Sequence, residues 1–305
     1  MRGMAAVVCA AVLTAGALAA CKAKAPEGEP KVATAAAVTT GPGRVPSVDG
    51  LEIAYTLHSL GSPTLVLVHG WMCNQGYWSA QVPALAEKFG VVTVDLGGHG
   101  ASGRNRKEWT IASLAEDVQA VITHLGLHRV IVAGHSMGGR VALEVAHRLP
   151  GTVIGIIGVD TLHTAADRYD PEQVKQLLTG LEQDFATTCS GLVRGMFVPG
   201  AEAALVERVV GDMCSGPGEI GAALLRSYVE FDMKSAFGRA GVPIRALNSD
   251  LWPTDVEGNR AVADFDAVIL KGYGHFLMQE APEELARAMV ETADAIATTP
   301  PRTAS

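Results

Sequence analysis

The 305-residue sequence has few charged residues and no cluster of basic ones. Asp, Glu, Lys and Arg make up 18% of the chain, and the formal net charge is −8. A protein that binds nucleic acid usually carries a basic face, because it must neutralise phosphate groups. This sequence has no cluster of Lys and Arg residues that could form such a face, so we expect no nucleic-acid partner.

Cysteine is also scarce, with five residues and no C-x-x-C pair. Close pairs of that kind are typical of zinc and redox sites, so the sequence predicts no metal site. Cys9 and Cys21 lie near the N terminus, and Cys73, Cys189 and Cys214 remain for the folded part. In an exported protein we expect Cys189 and Cys214, both on predicted helices of one inserted region, to form a disulfide.

An apolar run at residues 4–18 is too short to span a bilayer comfortably. It follows Arg2 and ends in Leu18-Ala19-Ala20-Cys21, which resembles a bacterial lipoprotein signal. We therefore expect residues 1–20 to be a signal peptide and Cys21 to carry lipid. An ordinary signal peptide cut after Ala20, or an uncleaved anchor, are the alternatives.

Residues 21–44 are rich in Ala, Pro, Gly, Lys and Glu and show no periodicity, which predicts a disordered tether. With lipid on Cys21, the protein would be an exported lipoprotein anchored to a membrane and facing the periplasm or the cell exterior.

From residue 45 onward, short β-branched apolar runs alternate with helical patterns. This alternation predicts an α/β fold with a mainly parallel sheet and helices on both faces. Residues 161–235 contain no clear strand and show helical patterning, which predicts a helical cap inserted between the core segments 45–160 and 236–299. Residues 300–305 are expected to be a disordered tail.

The segment Gly134-His-Ser136-Met-Gly138 matches G-x-S-x-G between a predicted strand and a predicted helix. In that context the motif predicts a nucleophilic serine on a tight turn. The Met137 N–H would begin the helix, and the His69-Gly70-Trp71 turn can present the Trp71 N–H as a second donor to an oxyanion. A glycine-rich turn with an incidental serine is the alternative.

A serine nucleophile needs an imidazole to take its proton and a carboxylate to orient that imidazole. His275 follows the last predicted strand, and Asp250 follows the strand before it. The chain order Ser136, Asp250, His275 favours Asp250 as the orienting acid. Asp160, at the end of the sixth predicted strand, is the alternative acid.

The motifs His69-Gly70-Trp71, the glycine-rich loop at 95–102, the serine turn at 134–139 and Gly272-Tyr-Gly-His275 occur in this order. Together they resemble the α/β-hydrolase family, in its serine-nucleophile branch. The resemblance implies an eight-stranded sheet, a variable cap, a Ser136–Asp250–His275 triad with Trp71 and Met137 as the oxyanion hole, and no cofactor. Members that act on epoxides or halides carry Asp where this chain has Ser136.

The predicted function is cleavage of a carboxylic ester through an acyl-enzyme, with His275 as general base and acid. A lactonase, an amidase or iminopeptidase, a C–C hydrolase or a perhydrolase would use the same triad, and a non-catalytic ligand-binding lipoprotein could keep the fold. The predicted cap is rich in apolar residues, and no Lys or Arg cluster lies near the triad motifs. These features favour a small, neutral, apolar ester as substrate.

Overall fold

The structure is a computed structural model that describes residues 39–166 and 169–299. The described elements belong to one compact unit, Val38–Ser305. The predicted signal peptide, the lipid site Cys21, most of the tether and the 300–305 tail lie outside the described residues. Within the described ranges, no helix is both long enough and apolar enough to cross a bilayer.

Eight strands form one sheet, and their bounds are β1 Gly41–Pro46, β2 Glu52–Ser59, β3 Thr64–Val68, β4 Gly90–Val94, β5 Val130–His135, β6 Val153–Val159, β7 Ile244–Ser249 and β8 Phe265–Leu270. Their spatial order is β1-β2-β4-β3-β5-β6-β7-β8. Strand β2 runs antiparallel to both of its neighbours, and β3 to β8 are mutually parallel. The mostly parallel, eight-stranded sheet is therefore confirmed.

The helices cover the sheet and build the cap, with bounds α1 Val82–Ala86, α2 Ile111–His124, α3 Met137–Arg148, α4 Pro171–Gln183, α5 Phe185–Arg194, α6 Ala203–Cys214, α7 Gly218–Glu230, α8 Met233–Arg239, α9 Val256–Arg260, α10 Leu277–Glu280 and α11 Pro282–Thr298. Every residue of β3, β4 and β5 is buried, as expected for central strands covered on both faces. Parallel strands end at the same sheet edge, so the loops after β3, β5, β6, β7 and β8 meet there.

The predicted start of the folded part was wrong by four residues. Residues 41–44 were assigned to the tether, but they belong to β1, which pairs antiparallel with β2 from Gly41 opposite Leu57 onward. The segment is rich in glycine and proline, which are uncommon in strands, so its sequence did not indicate one. Both residue types are tolerated there because β1 is an edge strand, where missing ladder hydrogen bonds cost little.

The cap consists of α4 to α7, which lie between β6 and β7 as the sequence predicted. Helices α5 and α6 form a hairpin, and a disulfide joins Cys189 on α5 to Cys214 on α6. We call residues 185–214 the cap hairpin. Asp184 separates α4 from α5, and its carboxylate caps α5 by accepting a hydrogen bond from the Thr187 N–H.

Candidate active site

Ser136 lies on the tight turn between β5 and α3. It precedes the first helical residue and has φ 53° and ψ −117°, a strained conformation for a residue with a side chain. The flanking glycines make the turn possible. A Cβ on Gly134 would overlap the Gly138 carbonyl, and a Cβ on Gly138 would lie 2.5 Å from the Val68 carbonyl oxygen. The strand, turn and helix predicted around Ser136 are thus present.

His275 follows β8, and its ring lines the same cavity as Ser136. The Nδ1 of His275 lies 2.5 Å from Oδ2 of Asp160, a completely buried carboxylate. Asp160 directly follows β6 and has a backbone φ of 42°, in the left-handed region. The second carboxylate oxygen accepts a hydrogen bond from the Ser249 N–H at 2.7 Å. A histidine held by a carboxylate therefore lines the same cavity as the serine.

The preference for Asp250 as the partner of His275 was wrong. Asp250 follows β7, but its side chain is exposed and accepts a hydrogen bond from the Gly272 N–H at 2.7 Å. Both acids stand at the ends of neighbouring strands, and only Asp160 reaches the imidazole. Asp250 instead connects the loop after β7 to the loop after β8.

Asp160 is held as an anion. Burial opposes its ionisation, but the hydrogen bonds from His275 and from the Ser249 N–H outweigh that cost, so the pKa of Asp160 lies below its ordinary value. An ionised carboxylate at Nδ1 keeps the imidazole proton on that nitrogen. Nε2 is then the acceptor, as a general base requires.

Trp71 and Met137 also line the cavity beside Ser136. Met137 is the first residue of α3, where backbone N–H groups have no partner within the helix. The Trp71 indole donates a hydrogen bond to the Gly221 carbonyl of the cap at 2.8 Å. The next residue is fixed as well, because the Met72 N–H donates to Nε2 of buried His99 at 3.2 Å.

His69 and His99 hold the neighbouring loops in place through hydrogen bonds to the main chain. Nε2 of His69 accepts a hydrogen bond from the Leu96 N–H, and Nδ1 of His99 donates to the Gly97 carbonyl. Burial lowers the pKa of His99 to about 3. His99 is therefore a neutral residue that packs its loop, and it supports the turn that carries Trp71.

Three hydrogen bonds to two residues, Met196 and Glu280, hold the loop that carries His275. The His275 N–H donates to the Met196 carbonyl of the cap hairpin at 2.8 Å. The Glu280 carboxylate accepts from the Gly274 and Phe276 N–H groups, at 2.8 and 3.0 Å. These contacts could not be predicted from the sequence, because no sequence motif indicates a hydrogen bond between the backbone of the cap and a distant loop.

The cavity above Ser136 and His275 has a volume of about 360 Å³. Its walls are mostly apolar, and the main apolar contributors are Trp71, Val174, Leu177, Leu192, Met196 and Leu225. Tyr169 and Trp252, each nearly two-fifths exposed, stand at its rim. Many other apolar cap residues, such as Val209, Met213 and Leu224, are buried within the cap instead.

A sequence model described as the alpha/beta hydrolase fold matches residues 63–190. The solved structure of a thermophilic esterase from Thermogutta terrifontis has a TM-score of 0.73 and 23% identity, and covers 84% of this chain and 99% of that one. The chain has the α/β-hydrolase fold.

Curated relatives match less than half of this chain. A pimeloyl-[acyl-carrier protein] methyl ester esterase of Nitrosospira multiformis is 32% identical over 146 residues, which are 45% of this chain and 56% of that protein. A soluble epoxide hydrolase of a Corynebacterium strain is 38% identical over 100 residues, 33% of this chain and 35% of that protein. The chain spans only 28–35% of the length of the first curated relatives.

Proposed function

We propose that this α/β-hydrolase-fold protein is a serine hydrolase that cleaves carboxylic esters through an acyl-enzyme. Ser136 is the nucleophile, His275 the general base and acid, and Asp160 the orienting acid. The Trp71 and Met137 N–H groups form the oxyanion hole. The observation that carries the proposal is the buried Asp160 carboxylate, 2.5 Å from Nδ1 of His275, which lines one cavity with Ser136 on its strained turn.

In this reaction His275 Nε2 takes the proton of Ser136 as Oγ attacks the ester carbonyl. The carbonyl oxygen becomes an oxyanion, which the two backbone N–H groups stabilise. His275 then gives its proton to the departing alkoxide, and an acyl-Ser136 ester remains. Water, deprotonated by the same imidazole, hydrolyses the acyl-enzyme and regenerates the serine.

The walls of the cavity favour a neutral, apolar acyl group of small to medium size. Apolar side chains dominate the lining, and a pocket of about 360 Å³ is at the lower end of the range for drug-sized ligands. Long acyl chains would exceed this volume, and a charged acyl group would lose its hydration among apolar walls. Lactones are a second candidate class of substrate, because a cyclic ester reacts by the same steps.

The test is active-site labelling combined with a substrate panel. A fluorophosphonate should modify wild-type protein at Ser136 and leave Ser136→Ala unmodified. Ester hydrolysis by Ser136→Ala should fall by about 10⁴- to 10⁶-fold, with the melting temperature unchanged. Retention of a tenth of the activity in Ser136→Ala would refute the nucleophile.

The same panel compares p-nitrophenyl esters of increasing chain length with a succinyl ester, a lactone and an anilide. We expect kcat/KM to be highest for short to medium neutral esters. A maximum at the succinyl ester, or a steady rise through the longest chains, would contradict the proposed acyl pocket. A protein that binds these compounds without turnover or labelling would instead be a ligand-binding protein.

We also propose that Cys21 carries lipid and anchors the protein to a membrane outside the cytoplasm. The support is the order of Arg2, the apolar run at 4–18 and Leu18-Ala-Ala-Cys21. Cys21→Ser should move the protein from the membrane fraction to the soluble exported fraction on cell fractionation. Cys73→Ser, which leaves the signal intact, is the control. Equal membrane association of Cys21→Ser and wild type would contradict the anchor.

A further inference from the structure

His135, the residue immediately before the proposed nucleophile, contacts the main chain of the proposed general base. Its Nε2 lies 3.0 Å from the carbonyl oxygen of His275, and the two imidazole rings are 4.6 Å apart between centroids. Because a carbonyl oxygen can only accept, Nε2 is the donor and carries the proton. A single dipeptide, His135-Ser136, therefore supplies the nucleophile and a direct bond to the loop of the base.

The surroundings of His135 keep this donor in one state. The side chain is almost completely buried at the end of β5. Burial, together with the charge of His275, lowers the pKa of His135 to about 3. The imidazole is therefore neutral when His275 becomes an imidazolium during the reaction, so it does not repel that charge as a second cation would.

With the bond from His135, both main-chain polar groups of His275 are hydrogen-bonded. The N–H of His275 donates to the Met196 carbonyl of the cap hairpin, and the C=O of His275 accepts from His135. The first bond depends on the cap, whereas the second depends on the same turn that holds Ser136. Of these two bonds, only the second links the loop of the base directly to the turn of the nucleophile.

We propose that His135 is a positioning residue for the hydrolysis reaction, which holds His275 in register with Ser136 by donating a hydrogen bond from Nε2 to the His275 carbonyl. This inference rests on the proposed function of Ser136 and His275. Holding two reacting groups in position is worth a large rate factor, and a displacement of about 1 Å can cost roughly 10²-fold.

The alternative is that His135 only fills space in the core. A matched pair of substitutions separates the two roles. In His135→Gln the amide Nε2 can reach the position of the imidazole Nε2 and donate the same bond. His135→Met has nearly the same length and volume but offers no donor. A space-filling role predicts equal activity for the two variants.

The experiment measures kcat and KM for a p-nitrophenyl ester, beside melting temperatures, for wild type, His135→Gln and His135→Met. We expect kcat of His135→Gln within about threefold to fivefold of wild type. For His135→Met we expect kcat to be lower by about 10- to 100-fold, with KM changed by less than about threefold because His135 does not line the acyl cavity. His135→Asn, whose amide reaches only to the Nδ1 position, should resemble His135→Met.

Equal kcat for His135→Gln and His135→Met would overturn the proposal, as would a loss confined to KM. Should His135→Met fail to fold, the comparison of His135→Gln with His135→Asn decides in its place. Crystal structures of the variants test the geometry apart from activity: the distance from His275 Nδ1 to Asp160 Oδ2, 2.5 Å in wild type, should persist in His135→Gln and lengthen in His135→Met. An unlabelled, inactive wild type would refute the proposed function, and the crystal structures would still decide the positional claim.

Discussion

Asp160 and Asp250 follow neighbouring strands of one sheet, yet their carboxylates have different partners. Asp160 is buried between His275 and the Ser249 N–H, whereas Asp250 is exposed and accepts from the Gly272 N–H. The two acids thus form a natural pair of matched variants. The same substitution at each position separates a role in orienting His275 from a general effect of losing one carboxylate.

We expect Asp160→Asn to lower kcat by about 10³- to 10⁴-fold, because an amide that donates to Nδ1 would hold His275 in the wrong tautomer. Asp250→Asn should keep kcat within about threefold, since an amide oxygen can still accept the bond from Gly272. Steady-state kinetics on a short-chain p-nitrophenyl ester measures both. A larger loss in Asp250→Asn than in Asp160→Asn would restore Asp250 as the acid.

The cap hairpin is the element that connects the cap to the catalytic loop. Its Met196 carbonyl accepts from the His275 N–H, and the Phe197 ring stacks on the Phe276 ring with centroids 4.9 Å apart. The disulfide between Cys189 and Cys214 closes the hairpin at a sequence separation of 25. An exposed ion pair, Arg194 with Glu207, spans the same two helices.

We expect the Cys189→Ser/Cys214→Ser double variant to lose roughly 3–4 kcal/mol of unfolding free energy in the chain-entropy model. It should also lose ester hydrolysis, because the Met196 carbonyl would no longer be held against His275. Chemical denaturation and steady-state kinetics provide the two measurements. Dithiothreitol should have the same effects on wild type and none on the double variant.

The control for the hairpin is Arg194→Ala, which removes the exposed ion pair between the same helices and should change neither quantity measurably. Alkylation followed by mass spectrometry of unreduced protein should label neither Cys189 nor Cys214. Two alkylated cysteines, or full activity in the double variant, would show that the disulfide is not what holds the hairpin.

Buried neutral histidines give the whole molecule a pH-dependent stability. Burial lowers the pKa of His69, and it lowers those of His99 and His135 to about 3, from an ordinary value near 6.5. Between about pH 6.5 and pH 3 the unfolded chain is protonated at His99 and His135 whereas the folded chain is not, and the pKa of His69 is shifted in the same direction. The unfolding free energy must therefore fall as the pH is lowered from about 6.5 toward 3.

Each such group contributes a slope of up to ~1.4 kcal/mol per pH unit in this window. Chemical denaturation at pH 7, 6 and 5 should show the decrease. In His99→Gln, whose side chain can still accept from the Met72 N–H, the unfolding free energy should depend less steeply on pH. The difference should correspond to one fewer proton bound on unfolding, or up to ~1.4 kcal/mol per pH unit. Stability that stays constant from pH 7 to pH 5, or an unchanged slope in His99→Gln, would contradict neutral burial of these histidines.

Much of this architecture could be predicted from local pattern. The β-branched runs between helical segments indicate buried parallel strands, since only a strand covered on both faces is apolar throughout. Gly134 and Gly138 around Ser136 predict the tight turn, because side chains there would collide. The cap is visible as a long helical interruption. All of these features depend on neighbours in sequence.

Only the tertiary structure showed which acid contacts His275. It also showed the hydrogen bonds that Met196 and His135 make with the main chain of His275. Chain order places both Asp160 and Asp250 at the correct edge of the sheet. The choice between them depends on the partner that each carboxylate reaches, which is His275 for Asp160 and the Gly272 N–H for Asp250. His135 and His275 are 140 residues apart and form their contact through one backbone carbonyl. Every residue has such a carbonyl, so no residue type in the sequence could have marked it.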